Sequence, residues 1–332
     1  MKKMFFFALA AAGMLTACSN DDTLGGNGEQ NVSEQQIRLG VASSKVQTRG
    51  TGTVGGMTDA ENVWAGQTLW VYMLQKGSME LALYKSPAVG ATAAAETEVF
   101  NNKKFTAPTT VTSGLATTAD GTIAYYPVSG NYDFWGYRVD DAVAGGTPTV
   151  KTVNDNGDEV AADQATKRVV DITIDGSHDI MAGKAAPSND EVTALGGYAD
   201  NFYSAYAARK GVQPNITFNH LLTRFTFEVR AGSKATAGLP AGGNTDAVKV
   251  TGVSVDSKTT GTLTVAYTGA TKEAADLLTF TGAASPLTLK QRSTTAADNN
   301  EALVALEPVS LTWTDDAATI GDVLKVGEAL LV

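Results

Sequence analysis

Apolar residues recur along this chain at a spacing of two, in short runs interrupted by glycine, asparagine and aspartate, which is the pattern of β-strands joined by turns. Leu69 to Leu74 is apolar throughout and predicts a strand covered on both faces. Ile123 to Val128, a Gly130-Asn131 turn and Tyr132 to Val139 predict a hairpin. Trp135, Tyr137 and Val139 share a face of its second arm, because strand side chains alternate. Lys167 to Ile174 puts Arg168, Val170, Ile172 and Ile174 on one side and stops at Asp175-Gly176. Further on, Ile216, Phe218, His220 and Leu222 occupy even positions, whereas Phe225, Phe227 and Val229 occupy odd ones. A one-residue slip would turn the core face outward, so this switch predicts a bulge or tight bend near Thr223-Arg224. Val248 and Val250 give way to Val253 and Val255 across Gly252 in the same manner. Leu263, Val265 and Tyr267, then Leu287 and Leu289, Val304 and Leu306, and Val309, Leu311 and Trp313 complete a meander. Helix is scarce: Gly197 to Gly211 is the segment for one or two helical turns, and 91–96 and 294–301 read as surface loops with at most one turn each. The fold class expected is all-β, built of β-sandwiches, and the length allows two of them, divided near Gly211-Val212-Gln213-Pro214.

The N-terminus breaks the pattern. Lys2 and Lys3 precede an apolar stretch from Met4 to Leu15, too short to span a bilayer as a helix, and this reads as a secretory signal peptide. It ends Leu15-Thr16-Ala17-Cys18, the form of a bacterial lipobox, in which the thiol of Cys18 receives the lipid. The alternative for the sole cysteine is a buried free thiol. No other apolar run reaches the roughly 18 residues a spanning helix needs. Ser19-Asn20-Asp21-Asp22 and Gly25-Gly26-Asn27-Gly28 follow as a polar, glycine-rich tether.

Composition narrows the chemistry. With 43% apolar and 18% charged residues the chain is too apolar for a disordered protein. Its formal net charge of -10 becomes -12 once Lys2 and Lys3 are removed with the signal peptide. A surface of that sign is repelled by nucleic-acid phosphates, and its anchoring to anionic lipid would fall to the acyl chains. One cysteine and two histidines leave no disulfide framework and no thiolate or imidazole metal cluster. No catalytic residue, metal ligand or cofactor is expected. Ser177-His178-Asp179 is a weak hydrolase candidate, since adjacent residues on an extended chain face opposite ways. His220 sits on an apolar face and is expected as a hydrogen-bonded core histidine. Asn154 to Glu159 faintly resembles a calcium loop, against the reading of a solvated hairpin turn, and Asp140-Asp141 and Asp315-Asp316 are further acidic clusters. A secreted hydrolase would need a cleft that gathers two carboxyls, which no spacing in the chain announces.

The stretch that carries a mechanism is Ile37 to Gly50. Ile37, Leu39 and Val41 alternate as a strand, and Arg49-Gly50, flanked by Thr48 and Thr51, is a candidate protease site. The competing reading of Arg49 is an ordinary exposed arginine. A cut there would sever a lipid-bearing strand from the body.

Taken in order, the lipobox, Thr48-Arg49-Gly50, the Trp-containing strand Leu69 to Leu74, the Tyr125-Tyr126-Pro127 to Gly136-Tyr137 segment, His178-Asp179-Ile180-Met181-Ala182 and Phe218-Asn219-His220-Leu221-Leu222-Thr223-Arg224 resemble the fimbrillin family of Bacteroidales, the subunits of type V pili. The resemblance implies two tandem transthyretin-like β-sandwiches after a lipoprotein signal peptide. Residues 1–17 would be that peptide, 18–49 a tether and cleavable propeptide with the first strand, and 50–211 and 212–332 the two sandwiches. It further implies acylation at Cys18, transport to the outer membrane, and cleavage between Arg49 and Gly50 by an arginine-specific protease. Other pilin subunits would be the partners, a strand of one filling the groove opened in the next and building a surface fimbrium. The donor candidate is the C-terminal segment with Leu324, Val326, Leu330 and Val332 of one parity. The alternative within the family is a non-polymerising pilus anchor or a glycan-binding adhesin, with Trp64, Tyr198 or Tyr203 as a sugar platform.

Overall fold

Thr68–Gln75 is the strand around which the fold is built, and its side chains divide between two cores. In the computed structural model, which describes residues 35–43, 67–85, 96–108, 113–139, 147–196, 203–234, 237–238, 248–292, 303–315 and 321–332, Leu69, Val71 and Met73 enter one apolar cluster. Trp70, Tyr72 and Leu74 enter the other. The continuous apolar run is thus covered on both faces, as its pattern predicts. Cys18, Arg49, Gly50, Trp64, Tyr198, the tether and the signal peptide lie outside the described residues, as do the loops at 91–95 and 294–301.

The chain is predominantly β. The largest sheet has eight strands in the order Ser113–Leu115, Gly40–Ser43, Asn215–His220, Met181–Lys184, Tyr132–Arg138, Thr68–Gln75, Lys103–Thr106 and Thr117–Thr118. One face carries the first cluster, which includes Ile37, Leu39, Val41, Phe105, Phe134, Ile216 and Phe218, with Phe100, Tyr126, Tyr203 and the short helix Ala205–Arg209 packed in. The other face carries Trp135, Tyr137 and Val139, packed against a four-stranded sheet ordered Leu278–Phe280, Thr260–Tyr267, Lys167–Thr173 and Val150–Val153. Val170, Ile172 and Ile174 face this core as expected. Arg168 is buried beside them, its Nη2 donating to the Met79 carbonyl at 2.6 Å and its guanidinium 4.9 Å from the Tyr72 ring centre. Burial pushes the Tyr72 hydroxyl up to about 12, with Arg168 pulling the other way.

A second four-stranded sheet, Thr223–Val229, Leu324–Leu331, Lys290–Arg292 and Leu303–Ala305, carries a small third core of Leu287, Leu289, Ala329 and Leu331. The parity switch near Thr223 is the point where the chain leaves the eight-stranded sheet after His220 and enters this one. Likewise Lys249–Val250 and Ser254–Ser257 belong to separate two-stranded sheets, pairing with Val309–Ser310 and Ser285–Thr288.

Two expectations are corrected. Ile123 to Val128 does not form a hairpin with Tyr132 to Val139: Tyr132–Arg138 pairs with Thr68–Gln75 and Met181–Lys184 instead. Ala124 to Tyr126 turns to the N-terminal strand, where Ile37 N–H donates to the Ala124 carbonyl at 2.9 Å and Tyr126 N–H to the Gln35 carbonyl at 2.9 Å. The division at 211/212 does not separate the strands, since Lys167–Thr173 pairs with Thr260–Tyr267, and Asn215–His220 pairs with Gly40–Ser43 and Met181–Lys184. The candidate donor residues Leu324, Val326 and Leu330 lie on an inner strand of the chain's own sheet, paired along Thr223–Val229 and, at Glu328, with Lys290, with Val332 just past its end. Val326 and Leu330 are buried there, and Leu330 reaches the core beneath Trp135. This strand completes its own fold. A bulge opposite Phe227/Glu228, at Gly327 with φ of 139°, shifts the register, and beyond it the strand is covered on both faces, Leu330 entering the second core and Ala329 and Leu331 the third.

Candidate functional site: the slot of the first strand

The N-terminal strand is an inner strand of the eight-stranded sheet. On one edge Gly40, Val41, Ala42 and Ser43 pair in parallel with Asn215, Ile216, Thr217 and Phe218. On the other, Gly40, Val41 and Ala42 pair antiparallel with Leu115, Gly114 and Ser113, and Ala116 N–H donates to the Leu39 carbonyl at 2.9 Å. Ile37, Leu39 and Val41, at 6%, 2% and 1% exposure, point into the first core, as their alternation predicts. Arg38, between them, is exposed.

The parallel wall begins at a proline. Pro214 accepts from Gly40 N–H at 2.8 Å but has no N–H of its own. Before it, the side chain of Gln213 continues the pairing: its Oε1 accepts from Arg38 N–H at 3.0 Å, and its Nε2 donates to the Gln36 carbonyl at 3.3 Å. Sequence reasoning missed Gln213. The available signal was a glutamine directly before a proline at the start of a predicted strand, where the ladder needs a substitute donor.

Beside Ile37 and Leu39 the core is incompletely filled. A groove of about 370 Å³ is lined by these residues with Phe100, Phe105, Leu115 and Ile123. Leu115 and Ile123, at 60% and 56% exposure, form its open rim.

Other candidates resolve into structural roles. Ser177, His178 and Asp179 have separate partners: Ser177 Oγ accepts from Lys290, His178 Nδ1 lies 3.0 Å from Asp175 Oδ1, and the buried Asp179 carboxylate meets His220 Nδ1. His220 is the hydrogen-bonded core histidine expected of it. Arg138, fully buried beside this pair, donates from Nη2 to Gln67 Oε1 at 2.7 Å. Burial alone would raise the Asp175 pKa, but His178, the Ser177 N–H and Lys290 at 3.1 Å outweigh it and hold the carboxyl below its ordinary range. Asn154 to Glu159 is a turn closed on itself, Asp158 N–H donating to Asn154 Oδ1 at 3.0 Å and Gly157 taking a φ of 89°. Among the described residues no group of three His, Cys, Asp or Glu side chains is placed to hold a metal ion. No helix among them is long and apolar enough to cross a membrane. Tyr203, offered as part of a sugar platform, is 3% exposed and packs edge-on to Phe134, so its ring has no free face.

Comparison with protein-family models, with curated proteins and with solved structures returned no match.

Proposed function

We propose that this protein is a fimbrial subunit, exported as a lipoprotein acylated at Cys18, cut after Arg49 and assembled by strand exchange. One observation carries the reading: the segment N-terminal to Arg49 contributes an inner strand, with Ile37, Leu39 and Val41 buried and backbone partners along both edges. Losing such a strand opens an apolar slot with hydrogen-bonding walls, which a strand of another chain can fill by β-augmentation. A contact of that kind joins different surfaces of successive subunits, does not close, and propagates as a fibre. Arg38 also offers an arginine to a protease, but its peptide lies within the paired strand, whereas a protease needs an extended, accessible chain. The tandem transthyretin-like architecture belongs to the same proposal. In it the sandwiches correspond to the packed cores, which mix strands from both halves of the sequence, and not to halves divided at 211.

The C-terminal strand favours a second reading, a non-polymerising surface lipoprotein of the same fold that keeps its first strand, as a pilus anchor would, because Leu324–Leu331 is already paired within this chain, along Thr223–Val229 and at Glu328 with Lys290. The N-terminus and intact mass of the surface protein, taken with its native proteases present, separate the readings. A chain beginning at Gly50 and recovered in polymers supports the exchanging subunit. One that keeps acylated Cys18 and stays monomeric refutes it and favours the anchor.

A further inference from the structure

We propose that Gln213 sets the register of whichever strand occupies the slot, by reading its backbone. This rests on the strand-exchange reading above. In a parallel ladder, a residue bonds the carbonyl of the residue before its partner and the N–H of the residue after it. The Gln213 amide does this opposite Ile37, donating to the Gln36 carbonyl at 3.3 Å and accepting from Arg38 N–H at 3.0 Å. It therefore stands in for the backbone of Val212, which the register of Gly40 with Asn215 would place opposite Ile37 and whose own N–H is turned to the Ala207 carbonyl. Every residue except proline offers these two groups, so the amide ignores side-chain identity and responds to position. Backbone groups alternate between the edges of a strand. A slip of one residue would turn the needed N–H and carbonyl toward the Ser113–Leu115 edge, leave the amide unpaired, and turn the apolar face outward. By fixing position 37, Gln213 also decides which side chains border the 370 Å³ groove next to Ile37 and Leu39.

The partner this describes is a strand of another subunit, running in the same sense as residues 36–43, apolar at two-residue spacing. It carries no proline at the positions of Arg38 and Gly40, whose N–H groups bond Gln213 and the Pro214 carbonyl.

The test uses the full chain and its Gln213→Ala and Gln213→Glu variants. Before cleavage, hydrogen exchange at the Arg38 amide should be at least tenfold faster in Gln213→Ala, with Gly40 changing by less than threefold. Gln213→Glu, which keeps the acceptor, should keep the Arg38 protection. After cleavage by an arginine-specific protease, inactivation of the protease and removal of the released segment, each protein is offered a labelled peptide of residues 34–44 and the same peptide N-methylated at Arg38. The wild type should prefer the unmethylated peptide at least tenfold, and Gln213→Ala less than threefold. Unchanged Arg38 exchange, or a preference retained in Gln213→Ala, overturns the register role and leaves strand exchange standing. Uptake of neither peptide by any cut protein overturns strand exchange itself, while the hydrogen-exchange result still judges the Gln213 contact.

Discussion

Leu39→Ala measures how firmly the first strand belongs to the folded body. Leu39 is 2% exposed and loses three carbon atoms in the change, a transfer cost of about 2–2.5 kcal/mol at roughly 0.8 kcal/mol per methylene. A sealed cavity would add to this and bring the loss to about 3–5 kcal/mol. Here the vacated volume joins the groove already bordering Leu39, so the cavity contribution is small and the expected loss is about 2.5 kcal/mol. Leu263 is the control: it is fully buried between two sheets and does not line that groove, so Leu263→Ala should cost about 4 kcal/mol. Urea unfolding followed by tryptophan fluorescence on the chain lacking residues 1–17 reads both, and the difference between the variants is more secure than either value. A loss under about 1 kcal/mol for Leu39→Ala would mean that the first strand is not part of the cooperative unit. A loss equal to that of Leu263→Ala would refute the relief supplied by the groove.

His220→Ala should cost about 3–5 kcal/mol, because it strands the Asp179 carboxylate in the core, and the double variant with Asp179→Asn should recover part of that loss in a double-mutant cycle. Gly183→Ala should destabilise by about 1–3 kcal/mol or more, since its Cβ would fall 2.2 Å from the Thr217 carbonyl oxygen, a backbone atom on the neighbouring inner strand; thermal unfolding checks it. The depressed Asp175 pKa means that folding favours its ionised form, so its contribution is present above the unfolded value of 3.8 and is lost as pH falls below it. Asp175→Asn should lower stability at neutral pH and flatten the acid limb of the stability profile; an unchanged acid limb would show that the contacts with His178 and Lys290 do not stabilise the ionised form.

Alternation was enough to identify a strand and its inward face at Lys167–Thr173, and an unbroken apolar run marked Thr68–Gln75 as covered on both faces, because burial on a sheet face acts residue by residue. Pairing was less legible. Ala124 to Tyr126 had an apparent partner a few residues away across the Gly130-Asn131 turn, yet its hydrogen bonds go to Gln35 and Ile37. A turn signal states that the chain reverses, not which strand receives it. The same ambiguity holds for the boundary at 211: Gly211 and Pro214 mark a connector, but a sheet can take its strands from both sides of one. At the candidate site, the inward trio Ile37, Leu39 and Val41 was readable from period alone. Gln213 was not, since its role comes from a side chain standing where the backbone of Val212 has turned away. The commitment of Leu324–Leu331 to its own sheet was hidden too, because an apolar strand looks the same whether its partner is its own chain or another.

The parallel pairing of Gly40–Ser43 with Asn215–Phe218 has a consequence for the order of folding. Arg38 and Gln213 are separated by 175 positions, so this contact carries a large loop-closure cost and belongs to the slow class of non-local pairings. At about 5–20 residues per second, the N-terminal strand waits roughly ten to thirty seconds after its own synthesis before its parallel neighbour exists. The seat of Gly40–Ser43 is thus incomplete until residues 215–218 exist, and every newly made molecule passes through a stage in which that seat is open. Cleavage after Arg49 would return the protein to a vacancy it has already traversed once, and only the timing of other strands around it would decide whether a molecule refills itself or joins a neighbour.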